Sequence, residues 1–306
     1  MIRFRSSTAF WSVLMCVLCL IGLPARAAPL NVVATTGMLA DTVRAVGGDR
    51  IVVHALMGSG VDPHTYRQTR SDIQRMTRAD LVVWHGLFLE AQLEKFFHDL
   101  GRHRKVVALT EAIPKDLLHA SEDYPGRYDP HVWMDPTLWR HVVIATRDTL
   151  IDSDPDGRST FEANAQNYIA RLDALNAKSD EKLKAVAQDA RALVTAHDAF
   201  GYFGRAYGFE VLGIQGISTE SEASLNQVER LVKVLVERKI KAIFVESSVA
   251  DRNVRALVEG AAARGHRVSI GGELYSDAMG APGTPEGTYL GMLKHNVATI
   301  AAALRQ

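Results

Sequence analysis

Residues 159–189 read STFEANAQNYIARLDALNAKSDEKLKAVAQD and contain neither glycine nor proline. Ser159 and Glu162 form a capping-box pattern at the start of the stretch. Apolar side chains then step by four and three, the spacing of one buried helix face, at Phe161, Ala165, Tyr168, Leu172 and Leu175. A helix of about 30 residues is about 45 Å long. We therefore predict a rigid connecting helix rather than a surface helix of one lobe.

The sequence on both sides of this helix alternates between β-rich apolar runs and amphipathic stretches. This order predicts an α/β protein with two lobes, each built on a parallel sheet that helices cover. In the first lobe, strands are predicted at residues 31–35, 51–57, 80–84 and 105–109, and helices at 38–46, 70–79 and 87–100. In the second lobe, strands are predicted at 191–195, 211–214, 241–246 and 267–270, and helices at 224–238 and 253–264.

The first residues have the pattern of a cleavable signal peptide. Arg3 and Arg5 precede an apolar run over residues 10–23, and Ala25-Arg26-Ala27 supplies a small-x-small cleavage site. A membrane anchor is the alternative, but the run is shorter than the roughly 20 apolar residues that span a bilayer. We predict a signal peptide at 1–27, a first lobe at 28–157, the connecting helix at 158–190 and a second lobe at 191–306.

Removal of residues 1–27 leaves 32 Lys and Arg against 35 Asp and Glu, a net charge of −3. The mature chain therefore has no basic excess for nucleic acid, and we expect no nucleic-acid partner. Both cysteines, Cys16 and Cys19, leave with the signal segment. Neither ends a small-residue box of the kind that precedes lipid attachment. These features favour a freely soluble protein of the periplasm.

The tripeptide Asp-Pro-His occurs twice, at residues 62–64 and 129–131. Proline fixes its own φ and biases the preceding residue towards extended backbone, so each histidine leaves a stiff turn. One copy alone is ordinary turn chemistry. His64 follows the strand predicted at 51–57, where the carboxyl ends of parallel strands form ligand sites. His64 and His131 are therefore candidate metal ligands from the first lobe.

The second lobe offers two further candidates at the ends of its predicted strands. His197 follows the strand at 191–195, and Asp277 follows the strand at 267–270 through the Gly271-Gly272 turn. Three imidazoles with one carboxylate suit Zn²⁺ or another divalent first-row ion. Ligands from four distant loops imply a site that the fold assembles.

Other side chains compete with this assignment. The remaining histidines are read as ordinary surface or core residues, and His85 is the nearest rival because it also ends a strand. Asp198 directly follows His197 and offers an alternative role as a group that orients a ligand ring. Glu220, Glu222 and Glu246 are further carboxylates on predicted loops.

Four ordered blocks carry a resemblance to a known family. They read VDPHTY at 61–66, DPHVWMDP at 129–136, TAHDAFGY at 195–202 and GELYSDAM at 272–279. The chain thereby resembles the TroA-like, cluster A-I solute-binding proteins of zinc and manganese ABC importers, over essentially its whole mature length. The resemblance implies two α/β lobes joined by one long backbone helix, with one metal ion in the cleft between the lobes. It places the ligand roles on His64, His131, His197 and Asp277.

The same resemblance implies a partner and a cargo. The partner is the ABC transporter permease in the inner membrane, and we expect a monomeric receptor that delivers Zn²⁺ or Mn²⁺. His197 favours zinc, since manganese-dedicated members often have a glutamate there. The absence of a long His-rich loop before His131 and of a mature disulfide counts against a zinc-dedicated member. A zinc-dependent hydrolase and a metal-binding adhesin are the alternatives.

Overall fold

The computed structural model describes residues 28–121 and 124–305. The predicted signal peptide lies outside these ranges. Within them, no helix combines the length and the apolar character needed to cross a membrane.

The first lobe is a four-stranded parallel sheet, as its sequence pattern predicts. Its strands run in the order β2-β1-β3-β4: β1 Leu30–Ala34, β2 Ile51–Ala55, β3 Leu81–Trp84 and β4 Lys105–Ala108. Helices α1 Gly37–Gly47, α2 Arg70–Arg78 and α3 Glu94–Leu100 lie between the strands. The strand order reverses between β1 and β3, and open α/β sheets bind ligands at such a switch point.

The helix predicted at 87–100 forms only in its second half. Leu87 and Phe88 have φ angles of 52° and 69°, in the left-handed region, so the chain cannot be helical there. The buried Glu90 carboxylate accepts the backbone N–H groups of His85 and Gly86 and the Thr35 hydroxyl. Glu90 thus holds the segment as a tight loop at the carboxyl edge of the sheet.

The long connecting helix is present, with shifted ends. It is α5, Arg158–Lys184, and it follows α4, Pro136–Ser153. The predicted capping box at Ser159 is wrong: a 3-10 turn at Pro155–Gly157 runs straight into α5, and Gly157 occupies the N-cap position without a side-chain bond. At the other end, the Arg191 guanidinium donates to the carbonyls of Leu183, Lys184 and Val186, which ends the helix earlier than predicted.

The second lobe contains two pairs of parallel strands. They are β5 Ala192–His197 with β6 Glu210–Gln215, and β7 Ala242–Glu246 with β8 Ser269–Leu274. β5 lies beside β7. The helices are α6 Gly201–Tyr207, α7 Leu225–Glu237, α8 Arg252–Ala263 and α9 Tyr289–Leu304. All four predicted strands and both predicted helices of this lobe are present.

α5 packs against α1 and α4 of the first lobe and against α9 of the second. Its predicted apolar face is buried at Phe161, Ala165, Tyr168 and Leu172. These side chains belong to one hydrophobic cluster that also contains strand residues of both lobes. The two-lobe α/β architecture with a long backbone helix is therefore confirmed. The exact lobe boundaries at residues 157 and 190 stay predictions, because this core continues across them.

Candidate metal centre

The two Asp-Pro-His turns are built in the same way. In each turn the aspartate Oδ1 accepts the backbone N–H of the histidine two residues later: Asp62 from His64 and Asp129 from His131, both at 2.9 Å. An aspartate that bonds its own backbone two residues on forms a stable turn without further partners. The repeated tripeptide thus fixes the backbone of two histidines at the edge of the first lobe.

The second lobe supplies its candidates from the ends of two strands. His197 is the last residue of β5, and Asp277 follows β8. The loop that carries Asp277 is attached to the first lobe, because the Trp133 indole Nε1 donates to the Ser276 carbonyl oxygen at 2.7 Å. Trp133 lies two residues after His131, so a single hydrogen bond couples the backbone beside one candidate ligand from each lobe.

The structure brings all four sequence-predicted side chains together. One potential ligand atom from each of His64, His131, His197 and Asp277 lies within 4.8 Å of every other. The Nε2 atoms of His64 and His131 are 3.3 Å apart. Asp277 places Oδ1 3.4 Å from His131 Nε2 and Oδ2 3.2 Å from His197 Nε2. The four residues are between 0% and 4% exposed, so water does not screen the cluster.

Several of these buried atoms lack a hydrogen-bond partner within the described part of the chain. They are His197 Nε2 and both carboxylate oxygens of Asp277. Their mutual contacts are short enough for an ion pair but do not have hydrogen-bond geometry. A buried polar atom without a partner costs about 1–3 kcal/mol, and a charged one costs more. A cation between the three rings and the carboxylate would satisfy all of these atoms.

Two further carboxylates contact the Nδ1 atoms of His131 and His197, on the side of each ring that faces away from the cluster. Asp129 Oδ1 lies 2.7 Å from His131 Nδ1, and Glu246 Oε2 lies 2.5 Å from His197 Nδ1. Glu246 also accepts the backbone N–H of His197 through Oε1. A carboxylate on Nδ1 directs Nε2 towards the centre and makes it a stronger donor to a metal. This role of Glu246 was not predicted from the sequence.

The four groups perturb one another's protonation. Burial lowers the pKa of His64 to about 3. Burial also opposes a charge on His131, but Asp129 and Asp277 outweigh it and raise the pKa of that ring to about 9. For His197, Asp277 and Glu246 outweigh burial and hold the pKa well above its usual value. Burial opposes ionisation of Asp277, yet the neighbouring histidines keep its pKa well below the ordinary range.

The rival residues lie outside this cluster. His85 is buried, but its Nε2 contacts the Pro130 carbonyl oxygen at 2.7 Å, and its ring packs against Trp133. Glu220 accepts a hydrogen bond from Gln92 at 2.5 Å, and Glu222 pairs with Arg252. Asp198 is not a member of the group that could hold an ion. In the ranges that the structure describes, His64, His131, His197 and Asp277 form the only such group.

This donor set fits a first-row divalent cation. Imidazole nitrogen suits Zn²⁺, and a carboxylate that binds through one or two oxygens also suits Mn²⁺. Four protein ligands complete a tetrahedral shell, whereas catalytic zinc sites keep one position for water. These four side chains could therefore hold such an ion with a full set of protein ligands.

The family model described as "ZnuA: Zinc-uptake complex component A periplasmic" matches residues 32–303. The chain belongs to this family. The resemblance to the receptors of zinc and manganese ABC importers is confirmed, and the family is one of solute-binding receptors.

Individual relatives of this ZnuA/TroA family share most of their length with the chain. The manganese-binding lipoprotein MntA of Bacillus subtilis is 44% identical over 277 residues, which cover 90% of each chain. The zinc-binding protein TroA of Treponema pallidum is 46% identical over 273 residues, or 89% of this chain and 88% of TroA. The solved structure of the Treponema pallidum zinc-binding TroA has a TM-score of 0.88 and covers 90% of this chain and 99% of that one.

Proposed function

We propose that this protein is an extracytoplasmic receptor that captures one Zn²⁺ or Mn²⁺ ion and delivers it to an ABC transporter permease in the inner membrane. One observation carries the proposal: four side chains from both lobes bring their donor atoms within 4.8 Å of one another, in a buried site. The relatives named for zinc and for manganese are almost equally similar to the chain, so the cargo is zinc, manganese or both.

His64, His131, His197 and Asp277 are the proposed ligands. A site of three imidazole nitrogens and one carboxylate should bind Zn²⁺ more tightly than Mn²⁺, because Mn²⁺ has the lowest affinity in the Irving–Williams order. Because the proposed ligands come from both lobes, a bound ion would link the two lobes across the cleft. The permease would then recognise the loaded receptor by the surface that the two lobes form together.

The site supports binding rather than catalysis. A hydrolase would need a carboxylate free to act as a base beside a metal-bound water. Glu246 is the alternative base beside the site, and both of its oxygens contact His197. Glu220 bonds to Gln92, on the first lobe. No described contact favours the adhesin alternative.

We also propose a monomer in the periplasm that starts near Ala28 and has no nucleic-acid partner. The support is the signal-peptide pattern of residues 1–27 and the net charge of −3 that remains after its removal. The lobe boundaries at residues 157 and 190 belong to the same proposal. The intact mass and the sedimentation of the exported protein, measured on the sample titrated below, check cleavage and oligomeric state.

Titration calorimetry of the purified protein with Zn²⁺ and with Mn²⁺ is expected to give one ion per chain. The His197→Ala variant should lose at least about 100-fold in affinity, because loss of a ligand exceeds the 10–100-fold loss typical of an orienting residue. His98→Ala is the matched control, since that histidine is exposed and outside the cluster. A chain that binds neither ion, or that binds several ions with equal affinity, would contradict the receptor assignment.

Binding of Zn²⁺ at about pH 7 is expected to release about two protons, because a ligand must be deprotonated before it coordinates. The rings concerned are His131, with a pKa of about 9, and His197, with a pKa well above its usual value. Below these pKa values protons compete with the metal, so affinity should fall about tenfold per pH unit for each proton. Calorimetry in two buffers of different ionisation enthalpy counts the protons; identical heats in both would refute the expectation.

A further inference from the structure

A groove of about 350 Å³ lies between α5 and α9, and none of its lining residues belongs to the metal centre. Its apolar lining consists of Ala174, Leu175, Leu290 and Val297, which we call the floor of the groove. The volume lies within the range of small-molecule sites, which are concave and mostly apolar with a few polar groups at the edge. Nothing in the proposed metal delivery uses this groove.

The rim of the groove is cationic. Arg171, Lys178 and Lys182 lie seven and four residues apart on α5, so they line one helix face, and Lys294 faces them from α9. No acidic residue lines the groove. Across the described ranges, none of the four cations forms an ion pair within 4.0 Å, although the Arg171 guanidinium lies over the Tyr168 ring.

The acids nearest in sequence do not neutralise this rim. Asp173 pairs with Arg140 of α4, and Asp180 pairs with Lys184 one turn further along α5. Glu181 is exposed and does not line the groove. Arg171 interacts electrostatically with the partly buried Asp41, but no acid of the described ranges lies within ion-pair distance of any of the four cations. They converge on one site in a chain whose charge without residues 1–27 is −3. Like charges held together repel one another, so a ligand that neutralises them is favoured.

The combination selects an amphiphile rather than a simple ion. A small anion would neutralise the rim but leave the apolar floor in water, and an apolar partner would cover the floor but desolvate the unpaired cations at a high cost. An acyl chain on the floor with a phosphate at the rim satisfies both surfaces. Clusters of Lys and Arg beside apolar surface are the recurrent means of binding anionic lipid.

We propose that the α5–α9 groove is a binding site for an anionic phospholipid. The phosphate lies among Lys178, Lys182, Lys294 and Arg171, and one acyl chain covers Leu175, Leu290 and Val297. Such a contact holds the receptor at the membrane surface, where the permease is, without using the metal site. The proposal therefore stands or falls independently of the metal-binding function.

Flotation with vesicles tests the proposal on the full mature protein. Vesicles of phosphatidylglycerol mixed with phosphatidylcholine should bind the protein, and binding should weaken as salt screens the charges. Vesicles of phosphatidylcholine alone should not bind it. The variant with Lys178→Gln, Lys182→Gln and Lys294→Gln should bind about 100-fold more weakly, at about fivefold for each cation near the surface.

Two matched controls separate the groove from overall charge. The variant with Lys95→Gln, Lys115→Gln and Lys233→Gln removes the same charge from exposed sites elsewhere and should bind like the parent. Ala174→Glu introduces an acid into the groove, whereas Ala177→Glu introduces one at an exposed position of the same helix outside the lining. Only Ala174→Glu should weaken binding, and Zn²⁺ affinity should be unchanged in every variant.

Any of the following results would overturn the proposal: no binding to phosphatidylglycerol vesicles, equal loss in the two lysine variants, or equal loss in the two glutamate variants. Equal binding to uncharged vesicles would also overturn it. Copurification of an acidic protein that depends on the three groove lysines, without vesicle binding, would replace the lipid by a protein partner.

Discussion

Replacement of Asp277 by asparagine is expected to lower the affinity for Zn²⁺ by at least about 1000-fold, more than the loss of an orienting residue. The asparagine keeps the size of the side chain but removes its charge. Asp277 is the only carboxylate among the proposed ligands, and it contacts two of the others, with one oxygen near His131 Nε2 and the other near His197 Nε2. Its loss therefore weakens the bond to the ion and the arrangement of both rings.

The charge of the metal-free site changes as well. Asp277 is one of the carboxylates that raise the pKa values of His131 and His197. In Asp277→Asn both values should fall, which NMR titration of the ring resonances measures. This second readout separates a local electrostatic change from a folding defect.

Asp173→Asn is the matched control for Asp277→Asn. Asp173 is an exposed aspartate on α5 that pairs with Arg140, so its replacement should leave Zn²⁺ affinity unchanged. Competition with a chelator of known affinity gives both dissociation constants. If Asp277→Asn keeps Zn²⁺ affinity within about tenfold of the parent, Asp277 is not a ligand and the site is a three-histidine site with an open position.

The four proposed ligands could be picked out of the sequence because each has a local signal. His64 and His131 follow the same Asp-Pro dipeptide, and His197 and Asp277 lie at the ends of runs that read as strands. The carboxyl ends of parallel strands meet at one edge, so position along the chain is enough to bring such residues to a common cleft. The resemblance to a known family then placed the two lobes on either side of it.

Glu246 shows what the sequence leaves open. It ends β7, but a glutamate at the end of a strand has no local feature that distinguishes an orienting carboxylate from a solvated one. Its role depends on β5 and β7 being neighbours, although 44 or more residues separate them along the chain. The Trp133 bond to Ser276 depends on tertiary structure in the same way. The partners of the ligands therefore required the fold.

Helices and strands could be predicted from the sequence where apolar residues recur at a regular spacing. Two long helices, α4 and α9, were not predicted from the sequence. Each buries side chains on several faces, so its polar and apolar residues alternate only weakly. The start of α4 does carry a local signal in the sequence, because Asp135 caps the helix and Pro136 occupies its first position. The end of α5 had no local signal, because Arg191 terminates it through carbonyl contacts from beyond the helix.

Replacement of Phe161 by alanine is expected to lower the free energy of unfolding by about 3–5 kcal/mol, as for other fully buried phenylalanines. The Phe161 ring is fully buried near the start of α5. A Cβ placed on Gly157 would fall 2.5 Å from the ring, so the neighbouring backbone is already in close contact with it. The surroundings have little freedom to collapse into the space that the ring leaves.

Urea unfolding of the metal-free protein, followed by circular dichroism, measures this loss against the parent. Glu162→Ala is the matched control, because Glu162 is the next residue of α5, is about half exposed and makes only a surface ion pair with Arg158. Such pairs contribute about 0–1 kcal/mol, so the control should change stability little.

The same experiment tests whether the two lobes unfold together. Phe161 belongs to a hydrophobic cluster that contains Val32 of β1, Phe244 of β7 and Ile300 of α9. A core shared by both lobes predicts one cooperative transition, which Phe161→Ala shifts as a whole to lower urea concentration. Two separate transitions, with only the first lobe destabilised, would show that α5 belongs energetically to one lobe and merely touches the other. The relative position of the metal ligands would then depend on the few contacts across the cleft rather than on a common core.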